Sequence, residues 1–403
     1  MIDFATAQTL LQQHAAKLPV SSTPARQAVG RRLAAPVLAN CDAPPFAKSM
    51  MDGYAIRHAS WTRPDSAFRI VGKIMAGDSQ LPAVGPSEAV AIMTGAPLPE
   101  GADTVVMREQ SSLSADGQLV QITATKVTLA QNILPRGEIF TSGQTVLPEG
   151  RLITPQTLGL LLETGVGTVQ VYPCPNVTVL TTGSELCPAD STPGPGQIRN
   201  TNGPLLTAVL EPHAQVTELG IASDDRETLR TALQRGLAAD VLVVTGGVST
   251  GELDLVPAAL EELGVVPVFH KVALKPGKPV WFGYRDQADR RCLVFGLPGN
   301  PVSSLACCVL FVFPALRYLA GASRRVFPCG VLQSDHEVRG DRPTFWPAAI
   351  EQDGVQTAIR PLRWLGSADQ RCLAETNGLA YFPMGNQNYR AGETIEFAPI
   401  SVW

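Results

Sequence analysis

Residues 173 to 322 alternate short apolar runs with helical patterns, and this alternation constrains the fold more than any other feature of the chain. Val177–Leu180, Val216–Leu219, Val241–Val244, Val265–Phe269 and Cys292–Phe295 are short, apolar and rich in β-branched residues. Runs of this kind, bounded by glycine and proline, read as buried strands. Helical patterns lie between or after them: one begins at Leu205–Leu210, Arg226–Gly236 is amphipathic, another surrounds Leu255–Leu263, and Val302–Leu319 is long and apolar. Strand–helix alternation at this spacing predicts a three-layer α/β domain with a mainly parallel sheet. Ligands of such sheets sit beyond the carboxyl ends of the strands.

Three glycine-rich turns crowd that edge. They are Thr245-Gly246-Gly247 through Asp254, Lys271 through Pro279, and Phe295 through Ser304 with Pro298-Gly299-Asn300-Pro301 at its centre. A glycine turn that leads from a strand into a helix exposes backbone N–H groups to anions. Lys271, Lys275 and Lys278 add positive charge, and Asp224 and Asp254 suit Mg²⁺, which takes one or two carboxylates plus substrate oxygens. The expectation is a site for a phosphorylated small molecule. Each feature also has a plain reading: a Gly-Gly turn is usually only a turn, and carboxylates before a helix, such as Asp224 and Asp225, are usually caps. What favours a site is the concentration of such turns at one edge of one sheet.

The totals narrow the class. With 403 residues the chain has room for two to four domains. Its formal charge of -4 and the lack of a Lys/Arg run argue against nucleic acid as the main partner. No stretch approaches eighteen uninterrupted apolar residues, so no membrane span is expected. Met1-Ile-Asp-Phe-Ala5 lacks the basic start and apolar core of a signal peptide. The eight cysteines are scattered without a C-x-x-C pair, which predicts buried free thiols in a reducing cytoplasm rather than zinc, iron–sulfur or disulfide sites. No P-loop or G-x-S-x-G pattern is present, and the five histidines show no metal-ligand spacing.

The remaining chain divides by texture. Residues 1–40 look helical, with one helix expected over Thr6–Leu18, and residues 141–172 read as a return to the same elongated N-terminal domain. There Thr154 is a fair N-cap with Pro155 at the first helical position. Residues 41–140 carry short strands at Phe68–Val71, Ala89–Met93, Thr104–Met107 and Leu119–Thr123 and read as an inserted β domain. Residues 173–322 form the α/β domain, and 323–403 predict a small C-terminal β-barrel or sandwich.

Within the inserted domain two further segments stand out: Ser49-Met-Met-Asp52-Gly-Tyr-Ala55 and Thr94-Gly-Ala-Pro-Leu-Pro-Glu-Gly-Ala-Asp-Thr-Val-Val106. Taken with Thr182-Gly-Ser-Glu185-Leu186, Thr245–Asp254, Lys275-Pro-Gly-Lys-Pro279 and Gly296–Ser304, they resemble the molybdopterin molybdenumtransferase family, which includes MoeA and the E-domain of gephyrin. The resemblance covers nearly the whole chain in the family's order. It implies four domains, an L-shaped homodimer, and an active site shared between the α/β domain of one subunit and the inserted β domain of the other. The implied reaction is Mg²⁺-dependent insertion of molybdate into adenylyl-molybdopterin with release of AMP.

The resemblance also assigns roles. Asp52 and Thr94 face the cleft from the partner subunit. Glu185, Asp224 and Asp254 handle Mg²⁺ and the diphosphate. Lys271, Lys275 and Lys278 hold molybdate or phosphate oxygens. Gly246, Gly247, Ser249 and the loop Pro298–Pro301, with Asn300, cradle pterin or nucleotide. Implied partners are the molybdopterin adenylyltransferase and acceptor molybdoenzymes. The sequence departs from the family pattern at Ala47-Lys48, where Asp-Asn is usual, at Ile139, where an acidic residue is common, and at Gln370–Leu379, where a serine-rich segment usually stands. Two other readings compete: the related adenylyltransferase, which usually needs only the α/β unit, and a scaffold that kept the fold without the chemistry.

Overall fold

The computed structural model describes residues 1–248, 255–288, 290–323 and 326–400. The chain separates into two compact units, Ser22–Val171 and Met1–Ser21 with Tyr172 onward. The first helix, α1 (Phe4–His14), is capped by Asp3, whose Oδ1 accepts from Thr6 N–H at 2.8 Å. It starts and ends earlier than the expected Thr6–Leu18. Its buried residues Ala7 and Leu11 share a core with Phe311 and Leu316, so residues 1–21 group with the α/β unit. The sequence reading had grouped them with 22–40. The difference is decided by which core takes the apolar face of α1, and helical periodicity does not specify that.

In the unit Ser22–Val171, six strands make one sheet: β1 (Gly53–Ile56), β2 (Ser66–Ile74), β3 (Glu88–Ile92), β4 (Thr104–Met107), β5 (Ser111–Leu113) and β6 (Leu119–Ile122). Their spatial order is β4-β1-β3-β2-β6-β5. Alternate residues enter different clusters: Tyr54 and Ile56 join Phe68 and Val106, whereas Ala55 joins Val90 and Val105. Both faces of the sheet are therefore covered, as period-2 side-chain alternation allows. The helix α2 (Pro155–Glu163) starts as expected, with Thr154 as N-cap and Pro155 at the first position. It packs in a further cluster with Ala25, Leu33 and Val171.

The α/β unit contains β7 (Asn176–Thr182), α3 (Asn202–Leu210), β8 (Gln215–Ala222), α4 (Arg226–Gly236), β9 (Val241–Thr245), α5 (Leu255–Glu262), β10 (Val266–His270), β11 (Trp281–Asp286), β12 (Arg291–Leu297), α6 (Pro301–Cys307) and α7 (Phe313–Leu319). The sheet order is β8-β7-β9-β12-β11-β10. The first four strands pair in parallel; β11 pairs antiparallel with both neighbours. Val241 and Val243 face the core built with α1, α3, α6 and α7. Leu242 and Val244 face the one built with α4 and α5. This is the expected three-layer sandwich with a mainly parallel sheet.

Between α6 and α7 one π-helical turn spans Cys308–Val312. Its cause lies in Pro314, which has no N–H to give to the carbonyl of Leu310 four residues earlier. That carbonyl instead accepts from the buried Gln8 Nε2 of α1 at 2.6 Å. Among the described residues, Pro301–Leu319 is the one helix long and apolar enough to cross a membrane, and 89% of its span is buried inside the structure. Its apolarity is satisfied by the sheet it packs on. Toward the C-terminus, β13 (Cys329–Leu332), β14 (Thr344–Asp353), β15 (Gln356–Pro361), β16 (Gly378–Phe382) and β17 (Thr394–Pro399) close into a barrel in the order β13-β15-β14-β16-β17. It packs around Ile359, Phe382 and Phe397.

Candidate functional site

The carboxyl ends of β7, β9 and β12 open into a cavity of about 840 Å³. Thr181 and Thr182 end β7, Thr245 ends β9, and Pro298 follows β12. All four line the cavity, together with Glu185, Asp224, Gly246, Gly247, Asn300 and Pro301. The glycine turns are there for steric reasons. Gly246 has φ +93, and a Cβ on it would run into the Thr182 carbonyl. Only glycine accommodates both the backbone angle and the close approach. The Gly246 N–H is held by the carbonyl of Leu297 at 3.1 Å, so this turn stitches β9 to β12 as well as lining the cavity.

The wall contains buried polar groups. Asn202, at the start of α3, donates from Nδ2 to Thr245 Oγ1 at 3.1 Å and to the Gly299 carbonyl at 2.6 Å. Thr245 Oγ1 also meets Ser304 Oγ at 3.1 Å. These bonds tie α3, β9 and α6 together at the cavity floor. By contrast, Asn202 Oδ1, Thr181 Oγ1 and Thr182 Oγ1 are buried without a hydrogen-bond partner among the described residues. An unpaired buried polar atom costs roughly 1–3 kcal/mol, so three in one wall mark a surface shaped for something polar. The first turns of α3 and α6 reach the same wall through Asn202 and Pro301, and helix N-termini favour anions.

Two carboxylates meet at the cavity. Asp224 Oδ2 accepts from Ser184 N–H at 2.9 Å, and Ser184 Oγ accepts from Asp224 N–H at 3.1 Å. This reciprocal pair fixes Asp224 beside the turn that carries Glu185. Its neighbour Asp225 has the bland role: Oδ2 caps α4 by accepting from Thr228 N–H at 2.9 Å. The two adjacent aspartates, alike in sequence, are separated by the direction of the turn. Among the described residues no group of three or more His, Cys, Asp or Glu side chains could hold a metal. Glu185 and Asp224 supply hard oxygen donors at a polar wall, which fits a Mg²⁺ completed by substrate oxygens. Ser249 and Asp254 lie outside the described residues.

The lysine turn reaches this wall only at its last residue. Pro279 lines the cavity, but Lys271, Lys275 and Lys278 do not. Lys271 has φ +71, an uncommon angle for a residue with a Cβ. Its N–H donates to Val280 O at 2.9 Å and its carbonyl accepts from Ile2 N–H at 3.2 Å. Lys275 and Lys278 are exposed. Lys275 Nζ stands 5.5 Å from the centre of the Trp364 ring.

In the unit Ser22–Val171, the predicted pair Asp52 and Thr94 is brought together directly. Asp52 Oδ1 accepts from Thr94 N–H at 2.7 Å and from Thr94 Oγ1 at 2.8 Å. These bonds, chiefly the one from the Thr94 N–H, hold the Asp52 carboxyl below its ordinary range, with Arg108 adding a smaller contribution. Both residues are exposed, as are Met50, Met51 and Ile139. Gly53 is required next to Asp52 because a Cβ there would collide with the Val106 carbonyl.

The segments Thr181–Leu186 and Gly196–Asn202, which the sequence offers as a cup of amides, hydroxyls and carboxylates, both reach the wall, through Thr181, Thr182, Glu185, Arg199, Asn200 and Asn202 among others. Ala368 and Gln370 escaped the sequence reading of the site. They come from the segment after β15 and are far from the α/β motifs in sequence.

Three family regions match the chain in order: the MoeA N-terminal region (domain I and II) over residues 2–165, a probable molybdopterin binding domain over 178–318, and the MoeA C-terminal region (domain IV) over 330–400. A molybdopterin molybdenumtransferase from Staphylococcus aureus is 32% identical over 390 residues, covering 94% of this chain and 91% of its own. One from Synechococcus elongatus is 32% identical over 407 residues, covering 98% and 99%. A crystal structure of a molybdopterin biosynthesis MoeA protein from Pyrococcus horikoshii matches with TM-score 0.81 at 28% identity, covering 99% of this chain and 100% of that one. On sequence, fold and domain order, the chain belongs to the molybdopterin molybdenumtransferase (MoeA) family.

Proposed function

We propose that the protein is a transferase that inserts molybdate into adenylyl-molybdopterin and releases AMP, yielding molybdenum cofactor in the cytoplasm. The observation that carries this reading is the polar wall at the sheet edge, where Thr181, Thr182 and Asn202 present unpaired buried oxygens beside Glu185 and Asp224. Such a wall suits a ligand with many donors and acceptors, as a pterin or nucleotide has, and with a diphosphate. The loop Pro298–Pro301 with Asn300, and Gly246, Gly247 and Ser249, shape the cradle for it. The wall supplies carboxylates, hydroxyls, amides and the Arg199 guanidinium, a set suited to catalysis by positioning and charge.

Glu185 and Asp224, with Asp254, are the candidates for holding Mg²⁺; when bound, the ion would neutralise charge on the phosphoanhydride oxygens. The Ser184–Asp224 bonds keep that carboxylate oriented. Lys271, Lys275 and Lys278 contribute charge for the molybdate or phosphate oxygens. Asp52, kept ionised by Thr94, completes the site in a homodimer whose active site is shared between subunits. A molybdopterin adenylyltransferase would supply the substrate and molybdoenzymes would take the product.

Purified protein mixed with adenylyl-molybdopterin, Mg²⁺ and molybdate should release AMP in step with metal incorporation. AMP release that is indifferent to molybdate would overturn the insertion reading. A monomer at working concentration would overturn the shared site.

A further inference from the structure

The segment that follows β15 is tied to the α/β unit at two places. Ser367 Oγ accepts from Asn300 Nδ2 at 3.0 Å, and the Ser367 carbonyl accepts from Val302 N–H at 3.1 Å, so the segment is pinned to the start of α6. Ala368 and Gln370, just beyond, line the cavity. Three residues before Ser367 stands Trp364, whose indole faces the Lys275 ammonium. The indole is itself fixed. Trp364 Nε1 donates to Gly366 O at 2.5 Å, and its ring meets Trp346 edge-on at 4.9 Å and 88°. Trp346 is in turn held by a bond from Nε1 to Leu362 O at 2.8 Å.

The Lys275 backbone is held by the same barrel. Its N–H donates to Pro343 O at 2.9 Å, and its carbonyl accepts from Phe345 N–H at 2.7 Å. A lysine on a flexible stem has many rotamers, and a rigid aromatic face selects among them. The choice of partner matters. A carboxylate beside Lys275 would compete with an incoming oxyanion, whereas an indole face attracts the cation and offers no oxygen acceptor. Among the described residues Lys275 has no ion pair with a carboxylate.

We propose that Trp364 is a positioning residue for Lys275: the C-terminal barrel supplies an aromatic rest that holds the ammonium ready for a tetrahedral oxyanion. This rests on the reading of Lys275 as an oxyanion contact. It assigns to the barrel a part in oxyanion affinity, exerted through a ring on another element.

The test uses the full chain and sodium molybdate as the probe. Molybdate affinity is measured by calorimetry, and KM for molybdate and kcat are measured in turnover. The variants are Lys275→Ala, Trp364→Met, Trp364→Phe and the double variant Trp364→Met with Lys275→Ala. Methionine fills the space without a ring face; phenylalanine retains one. Trp364→Met should weaken molybdate binding about three-fold, the scale of an exposed cation–π contact, and raise KM with kcat unchanged. Trp364→Phe should restore most of the affinity. In the Lys275→Ala background Trp364→Met should have no further effect.

Each contrary result is informative. If Lys275→Ala weakens binding while Trp364→Met does not, the positioning role is overturned and the oxyanion reading of Lys275 stands. If Trp364→Phe is as impaired as Trp364→Met, or the two losses simply add, the ring acts through packing and the proposal fails. If Lys275→Ala leaves molybdate binding unchanged, the oxyanion reading itself fails. Should Trp364→Met not fold, Trp364→Leu, which also lacks a ring face, replaces it alone and combined with Lys275→Ala: additive losses overturn the proposal and a shared loss supports it.

Discussion

Two acidic regions of this protein are built on opposite plans. At the sheet edge of the α/β unit, Glu185 and Asp224 belong to a cavity of about 840 Å³ whose wall includes buried, unpaired oxygens. On the unit Ser22–Val171, Asp52 stands on an exposed surface with its hydrogen bonds already supplied by Thr94. The first region leaves polar groups for a ligand to satisfy. The second satisfies its carboxylate and leaves only the charge to act. The cavity is therefore the candidate for recognition chemistry, and Asp52 presents a pre-ordered anion at an exposed surface.

That contrast can be broken most forcefully at Asp224. Asp224→Ala removes a carboxylate and the partner of Ser184, and turnover should fall on the order of 100-fold with the melting temperature nearly unchanged, since the residue is exposed. Steady-state kinetics beside a thermal melt checks this; near-wild-type turnover would remove Asp224 from the site. Gly246→Ala acts on the cavity through its backbone. Strain of roughly 1–3 kcal/mol should lower the melting temperature and weaken substrate binding about ten-fold, because β9 is pushed from Thr182. A well-folded, fully active variant would show that the close approach is dispensable.

The second region should respond in its pH profile. Asp52 has its carboxyl held below the ordinary range, chiefly by the Thr94 N–H and then by the Thr94 hydroxyl. A carboxylate depressed in the folded state contributes stability above its unfolded pKa and loses it as pH falls through the folded value. Thr94→Val removes the hydroxyl bond and keeps the N–H, so the acid limb of activity should move upward, toward but short of the ordinary carboxylate value, with a loss at neutral pH of only a few-fold. An unmoved limb would mean that Asp52 does not govern it. Outside both regions, Gln8→Leu leaves the Leu310 carbonyl without its 2.6 Å donor. Unfolding experiments should show a loss of about 1–3 kcal/mol with KM and kcat unchanged. A kinetic effect would link α1 to the site.

Much of this was legible in the sequence. The strand–helix period from Val177 to Leu297 placed the sheet, and the glycine turns marked its functional edge, because φ above zero and close backbone contact leave few alternatives to glycine. Arg226–Gly236 and Thr104–Met107 match their expected bounds, since periodicity and turn residues agree there. Local pattern failed where partners are distant. It gave no sign that the apolar face of α1 packs on the α/β core, could not tell Asp224 from Asp225, and gave no sign that Trp364 faces Lys275.

The sequence alone determined the α/β architecture, the β-rich flanks, the resemblance over nearly the whole chain, and the glycine turns and polar residue types at the sheet edge. Those features depend on backbone sterics and on short-range hydrophobic period, which are written within a few residues of each other. Only the tertiary structure decided which oxygens are buried without partners, which aspartate caps and which reaches the cavity, and that the C-terminal segment shares the cavity wall. Each of these depends on the relative placement of elements distant in sequence, where burial and hydrogen-bond direction are set by the packed fold and not by the neighbouring residues.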